Sequence, residues 1–278
     1  MRLLSWNLYH GRDFPPDPTL FTWRSRLLRR TERGVTHAQV NRPLLREYAA
    51  VLDGFEWDVA LLQEAPPRWF RELARRTRSS GTRVLTSRNW LPSLQDALAD
   101  WNPDLIASSE GGSNQILVRH PGRVLERRKL TLAWWPEQRR MQWARLELGR
   151  AAGMRLCAAN LHASAGLPER AAREVVRAAE CALAWSAGDP LVFGGDLNLR
   201  PRRNPEPFAE LRERLGLGEP TGPDAIDHLL VHGLDVLERP RRAPPERREL
   251  SEPDGLRIRL SDHAPVSARF GAAAARSR

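Results

Sequence analysis

Apolar positions come in short runs separated by polar stretches rich in Arg and Pro. Runs at Leu3–Leu8, Val59–Leu62, Ile116–Val118, Trp143–Leu148, Leu156–Leu161, Leu191–Phe193, Leu229–Val231 and Ala264–Phe270 have strand length, some continuous and some alternating. Between several of them apolar residues recur at helical spacing. Arg42–Leu52 carries Leu44, Leu45, Tyr48, Val51 and Leu52 on that period. Pro67–Thr77, Leu167–Trp185 and the shorter Pro207–Leu215 read the same way. Strands interleaved with helices along the whole length predict one α/β domain over residues 1–270. Arg12–Gly34 and Leu237–Gly255 read as surface loops, the second lying between two polar motifs and so placed to overhang a site. Gly271–Arg278 reads as a frayed, disordered tail. No internal repeat or Gly/Ser linker divides the chain.

A chain of 278 residues is long enough for a sizeable core, and 41% hydrophobic with 28% charged residues argues against wholesale disorder. No apolar run approaches the roughly 20 residues of a membrane-spanning helix, and no signal-peptide pattern follows Met1. Cys157 and Cys181 are too few for a disulfide framework or a four-thiolate zinc site. The expectation is a cytoplasmic monomer without integral membrane association. The formal net charge is +10, from 44 basic and 34 acidic residues, and Lys129 is the only lysine. Such arginine usage has two readings: a GC-rich codon bias, or a polyanionic partner whose phosphates arginine grips bidentately. The basic residues are spread along the chain, so charge alone decides little.

Most apolar runs end in a polar residue that a core does not want. Asn7, Glu64, His162, Asp196 and Asn198 follow such runs, while Asp227–His228 and Asp262–His263 precede them. Each alone has an ordinary explanation as a turn, a cap, a surface residue or a satisfied core histidine. Gathered at one sheet edge, they bring together four carboxylates, two amides and three histidines. Like charges in a cleft raise one another's pKa. A hard divalent cation bound by oxygen ligands relieves that repulsion, and the absence of Cys argues against a thiolate zinc site.

The order of the motifs resembles that of the endonuclease/exonuclease/phosphatase superfamily. The matching segments are Ser-Trp-Asn at 5–7, Asp-Val-Ala-Leu-Leu-Gln-Glu at 58–64, Asn-Gln-Ile-Leu-Val-Arg at 114–119, Asn-Leu-His at 160–162, Gly-Gly-Asp-Leu-Asn at 194–198, Ile-Asp-His at 226–228 and Ser-Asp-His at 261–263. The resemblance implies a four-layer α/β sandwich of the DNase I type, with two stacked mixed β-sheets flanked by helices. It implies that Glu64 ligates Mg2+ (or Mn2+), with Asn7 and Asp262 on the metal side. Asp196 and Asn198 would orient the attacking water and touch the scissile phosphate. His263, held in its tautomer by Asp227, would act as general acid or base or stabilise the transition state. His162 would donate to a phosphate oxygen. Asn114 sits in a partly kept motif, with Val118 where the family reads serine. Arg140, or Arg139, stands where some family nucleases carry a phosphate-contacting arginine.

The reaction class that follows is metal-assisted attack of water on phosphorus. The substrate lies with the loops. Three readings stand: a nuclease or phosphodiesterase acting on DNA or RNA, favoured by the charge; a phosphatase or phosphodiesterase on small or lipid-linked phosphates, inositol phosphate or sphingomyelin among them; and a non-catalytic polyanion binder, disfavoured because none of the site residues is missing. Most of the ten tryptophans are expected in the core, the Trp134–Trp135 pair included.

Overall fold

The computed structural model describes residues 1–87, 89, 91–135, 137–149 and 153–272. β1 (Arg2–Asn7) leads to α1 (Trp23–Leu28), the short strands β2 (Glu32–Arg33) and β3 (Ala38–Gln39), and α2 (Leu45–Asp53). β4 (Val59–Ala65), α3 (Phe70–Arg76), β5 (Ser79–Thr86), α4 (Pro92–Trp101), α5 (Pro103–Ile106) and β6 (Gly112–Arg119) follow. Next come β7 (Arg123–Ala133), β8 (Arg139–Leu148), β9 (Met154–His162), α6 (Pro168–Ser186), β10 (Leu191–Asp196), α7 (Pro205–Glu213) and β11 (Asp227–His232). β12 (Leu234–Arg242), the hairpin β13 (Glu249–Ser251) and β14 (Arg257–Arg259), and β15 (Val266–Ala272) are the last elements described.

The long strands form two sheets, one of six in the order β12-β15-β1-β4-β6-β5 and one of five in the order β11-β10-β9-β8-β7. Both are mixed, since β1–β4 and β9–β10 run parallel beside antiparallel neighbours. Side chains alternate between the faces of a strand. Leu3, Val59, Leu61, Ile116, Leu156, Ala158, Val192 and Leu229 fill the space between the sheets. Their alternates Leu4, Ala60 and Leu62 pack under α2 and α3, while Cys157, Ala159, Leu161 and Phe193 pack under α6 and α7. Three apolar layers thus hold four layers of structure. Strands buried on both faces read as continuous apolar runs, which made β1, β4, β9 and β10 visible in the sequence.

The expected core strands are all present, most of them longer than their apolar runs. β5, β7 and β12 were missed because they carry charge at edge positions, where one side faces water. Leu237–Gly255 is accordingly no loop: it contributes most of β12, which pairs with β15, and β13. Arg12–Gly34 likewise contains α1, whose N-cap Thr22 accepts from the Ser25 amide at 3.0 Å, and β2. Of the expected tail, Gly271 and Ala272 pair with β12, and 273–278 lie outside the described residues. Only Trp6, Trp57, Trp69 and Trp143 are buried tryptophans among the described residues. Trp134 and Trp135 stand 72% and 81% exposed, against the expectation of packing. Trp90 lies outside the described residues.

Candidate active site

Strand register assembles the site. Asp196, at the end of β10, stands between His162 of β9 and Asp227 of β11. All three continue the parity of Val192, Ala158 and Leu229, so they point between the sheets. On the facing sheet Asn7 continues the parity of Leu3, and Gln63 that of Leu61. Glu64 has the wrong parity. A register shift between Leu62 and Ala65, with Glu64 at φ 46°, turns its side chain back into the cleft. The filling between the sheets also changes along the strands, from Leu61 and Leu156 to amides and then to charges. Asn160 donates to the carbonyls of Leu62 and Gln115 on the other sheet and accepts from Gln63, which ties the two sheets beneath the site.

Asp262 and His263 come from the β14–β15 connection. The Ser261 hydroxyl donates to the Asn7 carbonyl at 2.7 Å, and the Trp6 indole N–H to the His263 carbonyl at 2.9 Å. The buried Arg248 guanidinium donates to the carbonyls of Leu260, Ser261 and His263. The loop is therefore clamped from both sides. Asn198, at φ 52°, receives an Asp196 oxygen on its backbone N–H at 3.1 Å and donates its amide to Ala163 O.

The two expected catalytic histidines differ in charge. His263 Nδ1 lies 2.9 Å from Asp227 Oδ2, and its Nε2 lies 3.7 Å from Asp196 Oδ2. Burial lowers its pKa, but Asp227 and Asp196 more than offset that and push it up to about 10, so it is an imidazolium at neutral pH. His162 Nδ1 lies 3.1 Å from the Arg139 guanidinium, a group that only donates, so Nδ1 accepts and Nε2 carries the proton. Burial and the Arg139 charge take its pKa down to about 3. Its Nε2–H points at Glu64 and Asp196, 3.6 Å from an oxygen of each. Asn7 donates its side-chain N–H to Asp196 Oδ2 at 3.0 Å. Burial raises the Asp196 pKa to about 7, with Asp227 and Glu64 adding to the rise. Glu64 stays ionised, at about 2, because facing imidazoles outweigh its burial; of these His263 carries the charge at neutral pH.

Asn7, Glu64, His162, Asp196, Asp227, Asp262 and His263 thus surround one cleft, with Asn198 at its edge. Asn114 and Arg140 stand apart from that cluster. The Asn114 amide is buried and donates to Arg140 O and Asn160 O, bridging strands. Arg140 donates to Leu85 O and lies over the Trp134 ring. Its neighbour Arg139 reaches the site instead, because it alone meets His162. His228 turns away, toward Leu199 O and the Phe208 ring. His10 is a site residue the sequence reading passed over, although it stands three positions after Asn7. Its Nδ1–H donates to Gly111 O at 2.9 Å, which leaves a bare Nε2 facing Glu64 Oε2 at 3.3 Å. Two acceptors that close call for a proton on Nε2 or a cation beside them. Together with the oxygen donors of Glu64 and Asp262, that fits a hard divalent cation. The closest grouping of candidate ligands among the described residues, Asp196, Asp227 and His263, has its atoms within 4.8 Å of one another. In it the His263 ring pairs with both carboxylates, Nδ1 with Asp227 at 2.9 Å and Nε2 with Asp196 at 3.7 Å.

The model of the Endonuclease/Exonuclease/phosphatase family matches residues 4–263. No curated protein matches the sequence. A family protein from Bacteroides thetaiotaomicron superposes with a TM-score of 0.65 at 13% identity, covering 97% of this chain and 94% of that one. A mannosyl-6-phosphatase of the same organism also gives 0.65, at 14% identity over 97% and 99% of the two chains. The human Nocturnin catalytic domain with bound sulfate gives 0.59, at 17% identity over 98% and 94%. At these identities the likeness shows the DNase I-like fold. With the family model spanning nearly the whole length, the chain belongs to the endonuclease/exonuclease/phosphatase family.

Proposed function

We propose that this protein is a Mg2+-dependent phosphodiesterase that cleaves nucleic acid by attack of water on phosphorus. Family members are hydrolases of phosphate esters and generally need a divalent metal. One observation carries the reading of the chemistry: the buried Asp196 lies between two histidines, 3.6 Å from His162 Nε2 and 3.7 Å from His263 Nε2, and burial raises its pKa to about 7. A base works best when its pKa lies near the working pH. Asp196 therefore takes a proton from the water as its oxygen bonds to phosphorus and the ester P–O bond breaks. His263, already an imidazolium, donates from Nε2 to the phosphoryl or leaving oxygen, and Asp227 keeps its Nδ1–H in place. His162 donates from Nε2 and Asn7 from its amide. Mg2+, held by Glu64 and Asp262, would neutralise charge on the phosphate oxygens.

Arginine and exposed aromatic groups between β7 and β8, next along the chain to the Arg139 that meets His162, support nucleic acid as substrate. Arg140 is layered on exposed Trp134, and Arg170 holds the Trp135 carbonyl. The mannosyl-6-phosphatase among the similar structures favours a second reading, hydrolysis of a small phosphate monoester. The test is hydrolysis by pure protein, with and without Mg2+, of single-stranded and plasmid DNA, RNA, bis-p-nitrophenyl phosphate, mannose 6-phosphate and inositol phosphates. An Asp196→Ala/His263→Ala double variant serves as control. Nucleic-acid cleavage lost in the variant supports the proposal; cleavage confined to the small esters overturns it in favour of the second reading.

A further inference from the structure

Beside the catalytic cleft lies a separate cavity of about 420 Å³ between the turn Tyr9–Arg12, α1 and α5. Two contacts tie its lining to the site. The Tyr9 amide donates to Asn7 Oδ1 at 2.9 Å, and the Ser261 amide, next to Asp262, donates to Arg12 O at 3.1 Å. We propose that this cavity seats the nucleotide unit adjoining the scissile phosphate, its base against Phe21 and Trp23 and its own phosphate on Arg12. The inference deepens the nucleic-acid reading and rests on it.

Arg12 is the first argument. Its guanidinium lies over the Tyr9 ring, 4.0 Å from the centroid, and its Nε is buried without a partner. Among the described residues the guanidinium makes no hydrogen bond or ion pair, whereas Arg119, Arg145 and Arg248 all do. The carboxylates of Asp104 and Asp262 stand near enough to feel its charge but do not pair with it, and its planar fork suits phosphate. The second argument is aromatic. Tyr9 meets Phe14 edge-on at 5.7 Å and Phe14 meets Phe21 at 5.5 Å, a series that reaches the surface at Phe21, 43% exposed; Trp23 also lines the cavity, 63% exposed, with Arg24 over its ring at 5.6 Å. Successive bases stack on such platforms. The third is the polar lining. Gln39 is engaged at both ends, by Ser25 on one side and by Val40 O and Asp104 on the other. Thr22 both accepts from Ser25 N and donates to Glu32. The open groups are therefore the guanidiniums of Arg12 and Arg26, one Asp104 oxygen and aromatic faces. A neutral polyol needs paired donors and acceptors that this lining lacks; a flat, anionic nucleotide matches it, with Asp104 accepting from a base amine or ribose hydroxyl.

The test compares kcat/KM for single-stranded oligothymidylate and oligouridylate with that for bis-p-nitrophenyl phosphate, which has no neighbouring nucleotide. Arg12→Met and Trp23→Ala are expected to lower the oligonucleotide-to-ester ratio about tenfold or more, mainly through KM, in line with the worth of a stacked base. Trp23→Phe and Arg12→Lys should restore most of it, and matching melting curves verify folding. If the wild type cleaves oligonucleotides and both variants keep the wild-type ratio, the cavity proposal falls and the nucleic-acid reading stands. If the wild type hydrolyses the ester but neither oligonucleotide, both fall. A mannose 6-phosphate KM that responds to Arg12→Met but not to Trp23→Ala makes the cavity a sugar-phosphate site and overturns the proposal.

Discussion

His263 shows how one neighbour sets a residue's chemistry. Its pKa rises from the ordinary 6.5 to about 10. Charge pairing with Asp227 therefore contributes stability that is complete below 6.5 and lost as pH rises through about 10. Asp227→Asn should remove that contribution and bring the alkaline limb of kcat/KM down toward neutrality. It should also slow the reaction by about 10²–10⁴-fold, the range for a lost general acid or base. A pH–rate profile of the variant checks this; a limb that stays put would sink the assignment. Asp196 runs in the same direction for a different reason, because burial disfavours its charged form. Its pKa, raised from 3.8 to about 7, means that the metal-free protein loses stability as pH climbs between those values. A cation offsets that loss. Mg2+ should raise the melting temperature more at about pH 8 than at about pH 5, where it must displace the proton. EDTA should abolish the difference along with activity.

Individual elements position these groups at a measurable conformational cost. Among the described residues ten non-glycine residues have positive φ, and Tyr9, His10, Glu64, Asn198 and Ser261 lie in or beside the site. Each such residue costs on the order of 1–3 kcal/mol and persists only where surrounding contacts hold it. Glu64 illustrates the gain, since the bulge swings it into the cleft. Gly195 brings β9 and β10 close: a Cβ there would stand 2.1 Å from Leu161 O, at φ +124°. Gly195→Ala should lose roughly 1–3 kcal/mol or more in urea unfolding, whereas Gly222→Ala, with open space around it, should change stability by less than about 0.5 kcal/mol. Arg248 clamps three carbonyls of the loop bearing Asp262 and His263. Arg248→Met should cut kcat by up to about 10²-fold through misplacement of His263, with nucleic-acid affinity nearly unchanged.

At the scale of the molecule, the net charge of +10 bears on binding rather than folding. Many arginines are already paired on the surface, Arg75 with Glu72 and Arg214 with Glu210 among them. Paired arginines of this kind offer little to a polyanion, so binding should depend on the open guanidiniums near the cleft. The affinity for single-stranded DNA should therefore fall with salt along a shallow line, each phosphate contact adding about −0.7 to the slope. Arg12→Met should flatten that line by about one such contact. A slope of ten contacts would mean that the whole basic surface binds instead.

Strand periodicity made the buried elements legible, because side chains that pack on both faces leave continuous apolar runs. Polar residues at the run ends marked Asn7, Glu64, His162, Asp196, Asp227 and His263 as candidates, and strand register gathers them around one cleft. Local pattern carries no record of which run lies beside which, so it was silent on the edge strands β5, β7 and β12, whose neighbours bury only part of them. It also passed over His10 and left Arg139 level with Arg140, since nothing local to either position reveals that one meets Glu64 and the other His162. Charge state followed the same division. Residue types indicated acid–base chemistry, but burial and partners at long sequence separation made one histidine an imidazolium and the other a neutral donor.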